Sequence, residues 1–205
     1  QTQPKVVSRD EWRKARVAHL AAEKEFTRKR DELSRQLREL PWERVEKNYV
    51  FDGPQGKVKL ADLFGDRSQL VIYHFMLGPD WKEGCPSCSY IADHFNAFQV
   101  HLQARDVSLV AVSHAPIEQI QKFKQRMEWS FPWVSASGTD FNYDYQVSKT
   151  PQEKAAGGKV YYNYSEQDFP SDERPGLSVF YKDEKGEIFH TYSTYSRGLD
   201  ILLGT

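Results

Sequence analysis

The sequence predicts an α/β domain preceded by a long helical arm, and three observations support this prediction. Two near-continuous apolar runs, at 69–77 and 107–112, have the length of strands and show no polar face, which is typical of central parallel strands. A stretch with helical periodicity follows each run, and a short third strand is predicted at 131–134. This alternation of strands and helices implies a parallel sheet with right-handed crossovers.

Composition sets limits on the size and partners of the protein. The 205 residues suffice for one domain with an appendage, but they are too few for two full domains. Only 39% of the residues are apolar while 14% are aromatic, so much of the core must consist of Phe, Tyr and Trp. The net charge is -1 and the charges are interspersed. We therefore expect no attraction to nucleic acid or to an anionic membrane surface.

Cysteine usage and the lack of apolar segments indicate a cytoplasmic protein. No segment approaches the roughly 20 apolar residues of a spanning helix, and the polar residues 1–10 do not resemble a secretory signal. The chain has only two cysteines, three positions apart. A secreted disulfide scaffold would use more cysteines, spaced to join distant segments. The pair therefore indicates redox chemistry or part of a metal site.

Residues 8–39 are predicted to form one long helix. Ser8 and Glu11 have the spacing of a capping box, and Pro and Gly are absent from the segment. A helix of this length would span about 45 Å, and its apolar positions form only a thin stripe. We divide the chain into a helical arm, 1–42, and a domain, 43–205. The arm either packs on its own domain or joins two chains in a homodimer.

The remaining elements are assigned by turn residues and periodicity. Helices are predicted at 86–103 and 116–128 because their apolar residues fall on one face. Segment 138–174 is irregular, and the chain ends near the start of a helix at 199–203. The smaller elements, in chain order, are a hairpin at 50–58, a helical turn at 60–64, a strand at 160–164 and a hairpin formed by 177–181 and 187–192.

The chemically reactive feature is the sequence Cys85–Pro86–Ser87–Cys88, which follows the first central strand and a loop. Pro86 fits the first turn of a helix, whose free N–H groups would stabilise a thiolate at Cys85. We therefore predict a lowered pKa and a nucleophilic Cys85 near neutral pH. The spacing places Cys88 on the same turn, where it could attack a mixed disulfide formed at Cys85.

Two other interpretations of the cysteine pair are a buried structural pair and half of a zinc site. Tetrahedral zinc needs two further ligands, and His74, His94 and His114 show no paired spacing. His74, inside an apolar strand, is better explained as a hydrogen-bonded core histidine. We favour the redox pair, and we predict no metal and no cofactor.

The order of elements resembles the thioredoxin superfamily, in its branch of peroxiredoxins and thiol–disulfide reductases. The segments that carry this likeness are VFDGPQGKVKLADLFGDRSQLVIYHF, CPSC, VSLVAVSHAP and FPWVSA. Over nearly its whole length the chain more closely resembles a bacterial family of thioredoxin-like proteins of uncharacterised function. That match includes LPWERVEKNYVFDGPQG and YHFMLGPDWKEGCPSCS. The resemblance implies a thioredoxin-like fold, with a central mixed sheet flanked by helices.

The resemblance also implies further site residues. Pro175 stands where the superfamily has a cis-proline facing the cysteines, and Arg174 would then point toward the pair. A guanidinium there would stabilise a thiolate or hold an anionic substrate group, although Arg174 could instead be a surface residue. Trp81 is expected to cover the cysteines, unless it serves only in packing. Pro86 and Trp81 would contribute to substrate binding.

One departure from the peroxiredoxin pattern bears on activity. Peroxiredoxins have a Thr three residues before the cysteine that attacks peroxide, and this chain has Lys82 there. The leading hypothesis is therefore a thiol–disulfide oxidoreductase that acts on a disulfide-bearing protein or a small thiol substrate. The alternatives are a thiol peroxidase, in which Cys85 becomes a sulfenic acid, and a non-catalytic binding protein with the same fold.

Overall fold

The structure, a computed structural model, describes residues 3–203. These residues form two compact units, with the boundary between Pro41 and Trp42. Within residues 3–203, no helix combines the length and the apolar character that crossing a bilayer requires. Each unit is described separately.

The first unit contains the long helix α1, Arg9–Leu37. Its N-terminus has the predicted capping box, in which the Glu11 N–H donates to the Ser8 hydroxyl and the Ser8 N–H donates to the Glu11 carboxylate. No residue of α1 is buried, and ion pairs such as Arg16–Glu23 lie along its surface. Exposed pairs contribute about 0–1 kcal/mol each, so the cap and the helix-forming sequence are the main local determinants of α1.

The second unit is built on an eight-stranded mixed sheet in the order β1-β10-β9-β4-β5-β6-β2-β3, beside a two-stranded sheet, β7-β8. The strands are β1 (Glu43–Arg44), β2 (Val50–Gly53), β3 (Gly56–Lys59), β4 (Gln69–His74), β5 (Val107–Ser113), β6 (Trp133–Ser135), β7 (Val160–Tyr162), β8 (Ser165–Gln167), β9 (Gly176–Lys182) and β10 (Ile188–Tyr195). The helices are α2 (Pro86–Ala92), α3 (Phe95–Gln103), α4 (Ile117–Arg126), α5 (Phe141–Asp144) and α6 (Pro151–Ala156), with 3-10 helices at Leu60–Phe64 and Ser196–Leu202.

The centre of the sheet agrees with the sequence prediction. Strands β4, β5 and β6 are parallel, whereas β9 pairs with β4 in antiparallel orientation. Strand β4 is therefore bonded on both sides, which explains its continuous apolar run. The hairpins at 50–58 and 177–192 are present, the second as the antiparallel pair β9 and β10. Prediction and structure agree on a mixed α/β fold.

The helix predicted at 86–103 is in fact two helices, α2 and α3. At the junction the His94 N–H bonds to the Ile91 carbonyl, three residues back, so the α-helical ladder is interrupted. The Asp93 carboxylate accepts a hydrogen bond of 2.9 Å from the Trp129 indole. This bond comes from a distant segment of the chain, and it explains why helical periodicity alone could not locate the break.

The two faces of the sheet bury different aromatic clusters. One face, covered by α2, α3 and α4, buries Tyr73, Cys88, Phe95 and Trp133 among other apolar residues. The opposite face holds His74, which is 1% exposed and hydrogen-bonds through Nε2 to the Ser178 hydroxyl at 2.8 Å. Because successive strand residues point to opposite faces, β4 directs Tyr73 toward the cysteines and His74 away from them. His74 is the core histidine that the sequence predicted.

Candidate active site

The two cysteines lie at the start of α2, beside the end of β4. Cys85 is the N-cap residue, and Pro86 occupies the first turn as predicted. The Cys85 N–H donates to the Met76 carbonyl at 3.1 Å, and the Cys85 carbonyl accepts from the Ser89 N–H and hydroxyl at 2.9 and 3.0 Å. These bonds fix the Cys85 backbone between the strand and the helix.

The thiols differ in burial and in acidity. Both cysteines are free; Cys85 is partly buried and Cys88 is only 1% exposed. The pKa of Cys85 is lowered to about 6, chiefly by the hydrogen bond from the Cys88 thiol. Burial opposes this shift, and the backbone N–H groups of Cys88 and Ser87 lower the pKa further. The hydrogen bond to Cys85, followed by burial, raises the pKa of Cys88 well above its ordinary value. Near neutral pH the pair therefore consists of one accessible thiolate and one buried thiol.

The predicted N–H groups at a helix N-terminus do act on Cys85, although the helix is shorter than the 18 residues predicted. Helix α2 has only seven residues. The groups that act on Cys85 are a neighbouring S–H and two nearby N–H groups. The two N–H groups belong to the first turn of α2, as the sequence predicted, and the hydrogen bond from the Cys88 thiol is a larger contribution that the sequence argument did not include.

A cavity of about 480 Å³, here called the cysteine cavity, opens over the pair. Its apolar wall consists of Pro86, Ile91, Pro175, Leu199 and Leu203. The lining also contains both cysteines, Tyr73, Tyr90, Ser87, Ser196 and Asp200. Asp200 is the one charged residue of this described lining, and it forms an ion pair with Arg197. A substrate would therefore meet a mainly apolar surface beside the Cys85 sulfur.

Pro175 lines the cysteine cavity just before β9, but its peptide bond is trans. The prediction of a cis-proline at this position is therefore wrong. The preceding segment is held by the Arg174 N–H, which donates to the Val147 carbonyl at 2.7 Å. The Pro175 carbonyl accepts a hydrogen bond of 2.5 Å from the Tyr162 hydroxyl. These two bonds hold the backbone on both sides of Pro175.

Arg174 does not point into the cysteine cavity, and it is not a surface residue either. Its side chain is 1% exposed, and Nη1 donates to the Tyr161 carbonyl at 3.3 Å. The guanidinium lies over the Tyr162 ring, 5.7 Å from the ring centre. The Arg174 side chain thus lies against β7. It is neither a residue that points toward the cysteines nor a surface residue, so both interpretations from the sequence were wrong.

Trp81 lines a different cavity from the cysteines, and its covering of the pair stays a prediction. It lines this second cavity together with Lys82, Lys122 and Arg126, and its carbonyl accepts a hydrogen bond from the Gln119 side chain. Trp81 also packs against the core cluster beneath α2. These contacts indicate a packing role.

Tyr73 is the site residue that sequence reasoning missed. Its side chain is fully buried, and its hydroxyl lies beside the Cys88 sulfur, where it lowers the pKa of that thiol. The hydroxyl forms no hydrogen bond of good geometry with any other described residue. The available signal was a phenol in an otherwise apolar strand, thirteen residues before the proline of the motif.

Among residues 3–203, no three side chains of His, Cys, Asp or Glu come close enough together to hold a metal ion.

Comparisons with known proteins identify the family and the fold. The family model "Bacterial protein of unknown function (DUF899)" matches residues 1–205, and no curated protein matches the sequence. Among solved structures, peroxidoxin BcpB from Mycobacterium tuberculosis is 15% identical, with 79% of this chain and 92% of that chain covered and a TM-score of 0.51. This similarity confirms the thioredoxin-like fold that peroxiredoxins share.

Two further solved structures are similar at lower TM-scores. A PrxQ variant from Xylella fastidiosa is 14% identical, with coverages of 78% of this chain and 91% of that chain and a TM-score of 0.49. A putative thiol:disulfide interchange protein DsbE from Chlorobium tepidum is 18% identical, with coverages of 76% and 86% and a TM-score of 0.42.

Proposed function

Since the chain belongs to the DUF899 family and has a thioredoxin-like fold, we propose that it is a thiol–disulfide oxidoreductase whose reactive pair is Cys85 and Cys88. The observation that supports this proposal is the opposite acidity of two adjacent thiols. Cys85 is accessible and its pKa is about 6, while Cys88 is buried three residues later and keeps its proton. A nucleophile and a resolving thiol need this arrangement.

The reaction proceeds in two exchanges. The Cys85 thiolate attacks one sulfur of a substrate disulfide, a new S–S bond forms at Cys85, and the other substrate sulfur leaves as a thiolate. Cys88 then loses its proton to this first leaving group and attacks the Cys85 sulfur. The second substrate sulfur leaves as a thiolate, and an intramolecular disulfide remains. The pair loses two electrons and one proton, and the substrate is released as one thiol and one thiolate.

The lining of the cysteine cavity favours disulfides over peroxides as substrates. None of the described residues in this lining carries a positive charge, and Lys82 belongs to the second cavity. Polarising an O–O bond would benefit from a cation or several strong donors, whereas sulfur exchange needs mainly an accessible thiolate and an apolar surface. The proposed substrates are a small neutral disulfide or a protein disulfide flanked by apolar side chains. In a reducing compartment such as the cytoplasm, the pair would act as a reductant.

The test is reduction of a disulfide by single-cysteine variants. We expect Cys85→Ser to abolish insulin reduction in the presence of dithiothreitol. Cys88→Ser should instead perform the first exchange and accumulate one mixed disulfide per chain, visible by mass spectrometry. Peroxide consumption measured on the same proteins distinguishes the peroxidase alternative. Full insulin reduction by Cys85→Ser would refute the proposal.

A further inference from the structure

Tyr73 is held rigidly on the sheet face that carries the cysteines. Its ring packs edge-on against Phe95, with ring centres 5.2 Å apart, and against Phe75 at 6.3 Å. The side chain is fully buried, yet it forms part of the lining of the cysteine cavity. The hydroxyl is therefore placed beside the sulfurs by a packed aromatic framework, and it has little freedom to turn elsewhere.

The Tyr73 hydroxyl is a buried polar group without a well-formed hydrogen bond in the described part of the chain. Buried polar groups almost always have hydrogen-bond partners, so a group without one requires an explanation. Its neighbour is the Cys88 sulfur, whose pKa it lowers. In the resting pair, however, the Cys88 thiol directs its proton to Cys85. The hydroxyl therefore faces a neutral sulfur, which is a weak acceptor.

The environment of Cys88 changes once Cys85 has reacted. In the resting pair the pKa of Cys88 is raised by the hydrogen bond to Cys85, by burial and by the charge of Cys85, in that order. When Cys85 is bonded to a substrate sulfur, it carries no charge and accepts that hydrogen bond poorly. Burial is then the one remaining cause that raises the Cys88 pKa. It is opposed by the Tyr73 hydroxyl and the Met76 N–H, which both lower that pKa.

We propose that the Tyr73 hydroxyl donates a hydrogen bond to the Cys88 thiolate in the second exchange, and so acts as a catalytic residue of the resolving step. This inference rests on the proposed function. The proton that Cys88 loses goes to the first leaving thiolate, as above, and the phenol keeps its own proton because burial raises the pKa of Tyr73. Tyr73 therefore lowers the free energy of the buried anion without exchanging a proton with it.

The other titratable groups near Cys88 cannot replace Tyr73 in this role. The Tyr162 hydroxyl already donates to the Pro175 carbonyl. Asp200 also lines the cavity, but a carboxylate would repel a thiolate rather than stabilise it. Tyr90, also in the lining, is 40% exposed, so its hydroxyl is not confined beside the buried sulfur as that of Tyr73 is.

The two exchanges can be followed separately with dithiodipyridine, a neutral disulfide that releases one coloured thiopyridone in each step. Stopped-flow measurements across a pH series give a rate for each release. We expect Tyr73→Phe to leave the first release unchanged, to slow the second about tenfold, and to move its pH midpoint to higher pH. Tyr195→Phe is the matched control, because it removes a buried hydroxyl that donates to the Tyr145 carbonyl, and it should change neither release.

A second measurement keeps the test independent of the stability of Tyr73→Phe. A fluorotyrosine introduced only at position 73 preserves the shape of the ring and makes the phenol a stronger donor, so the pH midpoint of the second release should fall. The inference would be overturned if the wild-type protein gave both releases and neither change at Tyr73 altered their rates or pH midpoints. The proposed function would still stand in that case. Absence of both releases from the wild-type protein would refute the proposed function itself.

Discussion

The Cys88 thiol donates a hydrogen bond to the Cys85 sulfur, and this one contact moves the pKa values of the two residues in opposite directions. It is the largest cause of the low pKa of Cys85 and also the largest cause of the high pKa of Cys88. The pair therefore holds one proton between two sulfurs and titrates as a unit. The acidity of Cys85 therefore depends on Cys88 even before any substrate binds.

Removing the donor at position 88 should reduce the acidity of Cys85. In Cys88→Ala the backbone N–H groups of residues 87 and 88 remain, but the largest stabilising hydrogen bond is lost. We expect the pKa of Cys85 to rise from about 6 toward its ordinary value of about 8.5. The pH dependence of iodoacetamide alkylation measures this change. Cys88→Ser keeps a hydroxyl donor and should retain most of the lowered pKa; equal midpoints in the Ala variant and the wild-type protein would contradict the prediction.

The low pKa of Cys85 predicts a stability that depends on pH. Between about pH 6 and about pH 8.5 the folded protein carries a thiolate, whereas the unfolded chain carries a thiol and so binds one more proton. The free energy of unfolding of the reduced protein should therefore rise with pH across this window, and the gain is lost as pH falls through about 6. Urea unfolding at several pH values tests this. In Cys85→Ser the free energy of unfolding should no longer rise with pH across this window. If it rises as steeply as in the wild-type protein, groups other than Cys85 cause the pH dependence.

Much of the fold was predictable because its signals are local. The capping box of α1, the apolar runs of β4 and β5, and the turn between β2 and β3 each lie within a few consecutive residues. The position of the cysteine motif after a buried strand is equally local. The parallel strands around the site follow the usual βαβ connections, so their arrangement could be predicted from the sequence.

The parts that were not predictable depend on contacts between distant segments. The break between α2 and α3 involves Trp129, and the orientation of Arg174 depends on a carbonyl of β7. The role proposed for Tyr73 could be inferred only by knowing which face of β4 meets the cysteines. The cavity wall includes Leu199, which is more than 100 residues away from the cysteines in the sequence. The cis-proline was an expectation from a resemblance, and the bond before Pro175 is trans in this chain.

Gly84 should be intolerant of a side chain because the space beside it is filled. A Cβ atom there would lie 2.7 Å from Cε1 of Phe75 and 2.8 Å from Cζ of Phe123, both parts of buried rings. We expect Gly84→Ala to lower the free energy of unfolding by about 1–3 kcal/mol and to slow alkylation of the adjacent Cys85 by displacing it. Gly138→Ala is the control, since its nearest neighbouring atom would be 3.6 Å away. If the two variants have equal free energies of unfolding in urea, the Phe75 and Phe123 rings can move aside without loss of stability, and the prediction is wrong.

Arg174 offers a direct comparison between the expectation from resemblance and the structure. A guanidinium facing the cysteines would help to hold the pKa of Cys85 down, so its removal would raise that pKa. In the structure Arg174 instead bonds to the Tyr161 carbonyl, and its Nε and Nη2 atoms are buried without a hydrogen-bond partner. We therefore expect Arg174→Met to leave the pH midpoint of Cys85 alkylation at about 6.

The same substitution should be well tolerated by the fold. Methionine is flexible enough to fill much of the space beside Tyr162, and it removes a buried, incompletely bonded charge. Keeping a buried charge with two unbonded nitrogens is unfavourable, so urea unfolding should show no large loss on its removal. Arg174→Lys is the control, because it keeps a charge in the pocket but cannot reproduce the planar contact with the ring. An alkaline shift of Cys85 in Arg174→Met, absent from Arg174→Lys, would mean that position 174 acts on the thiolate through its charge after all.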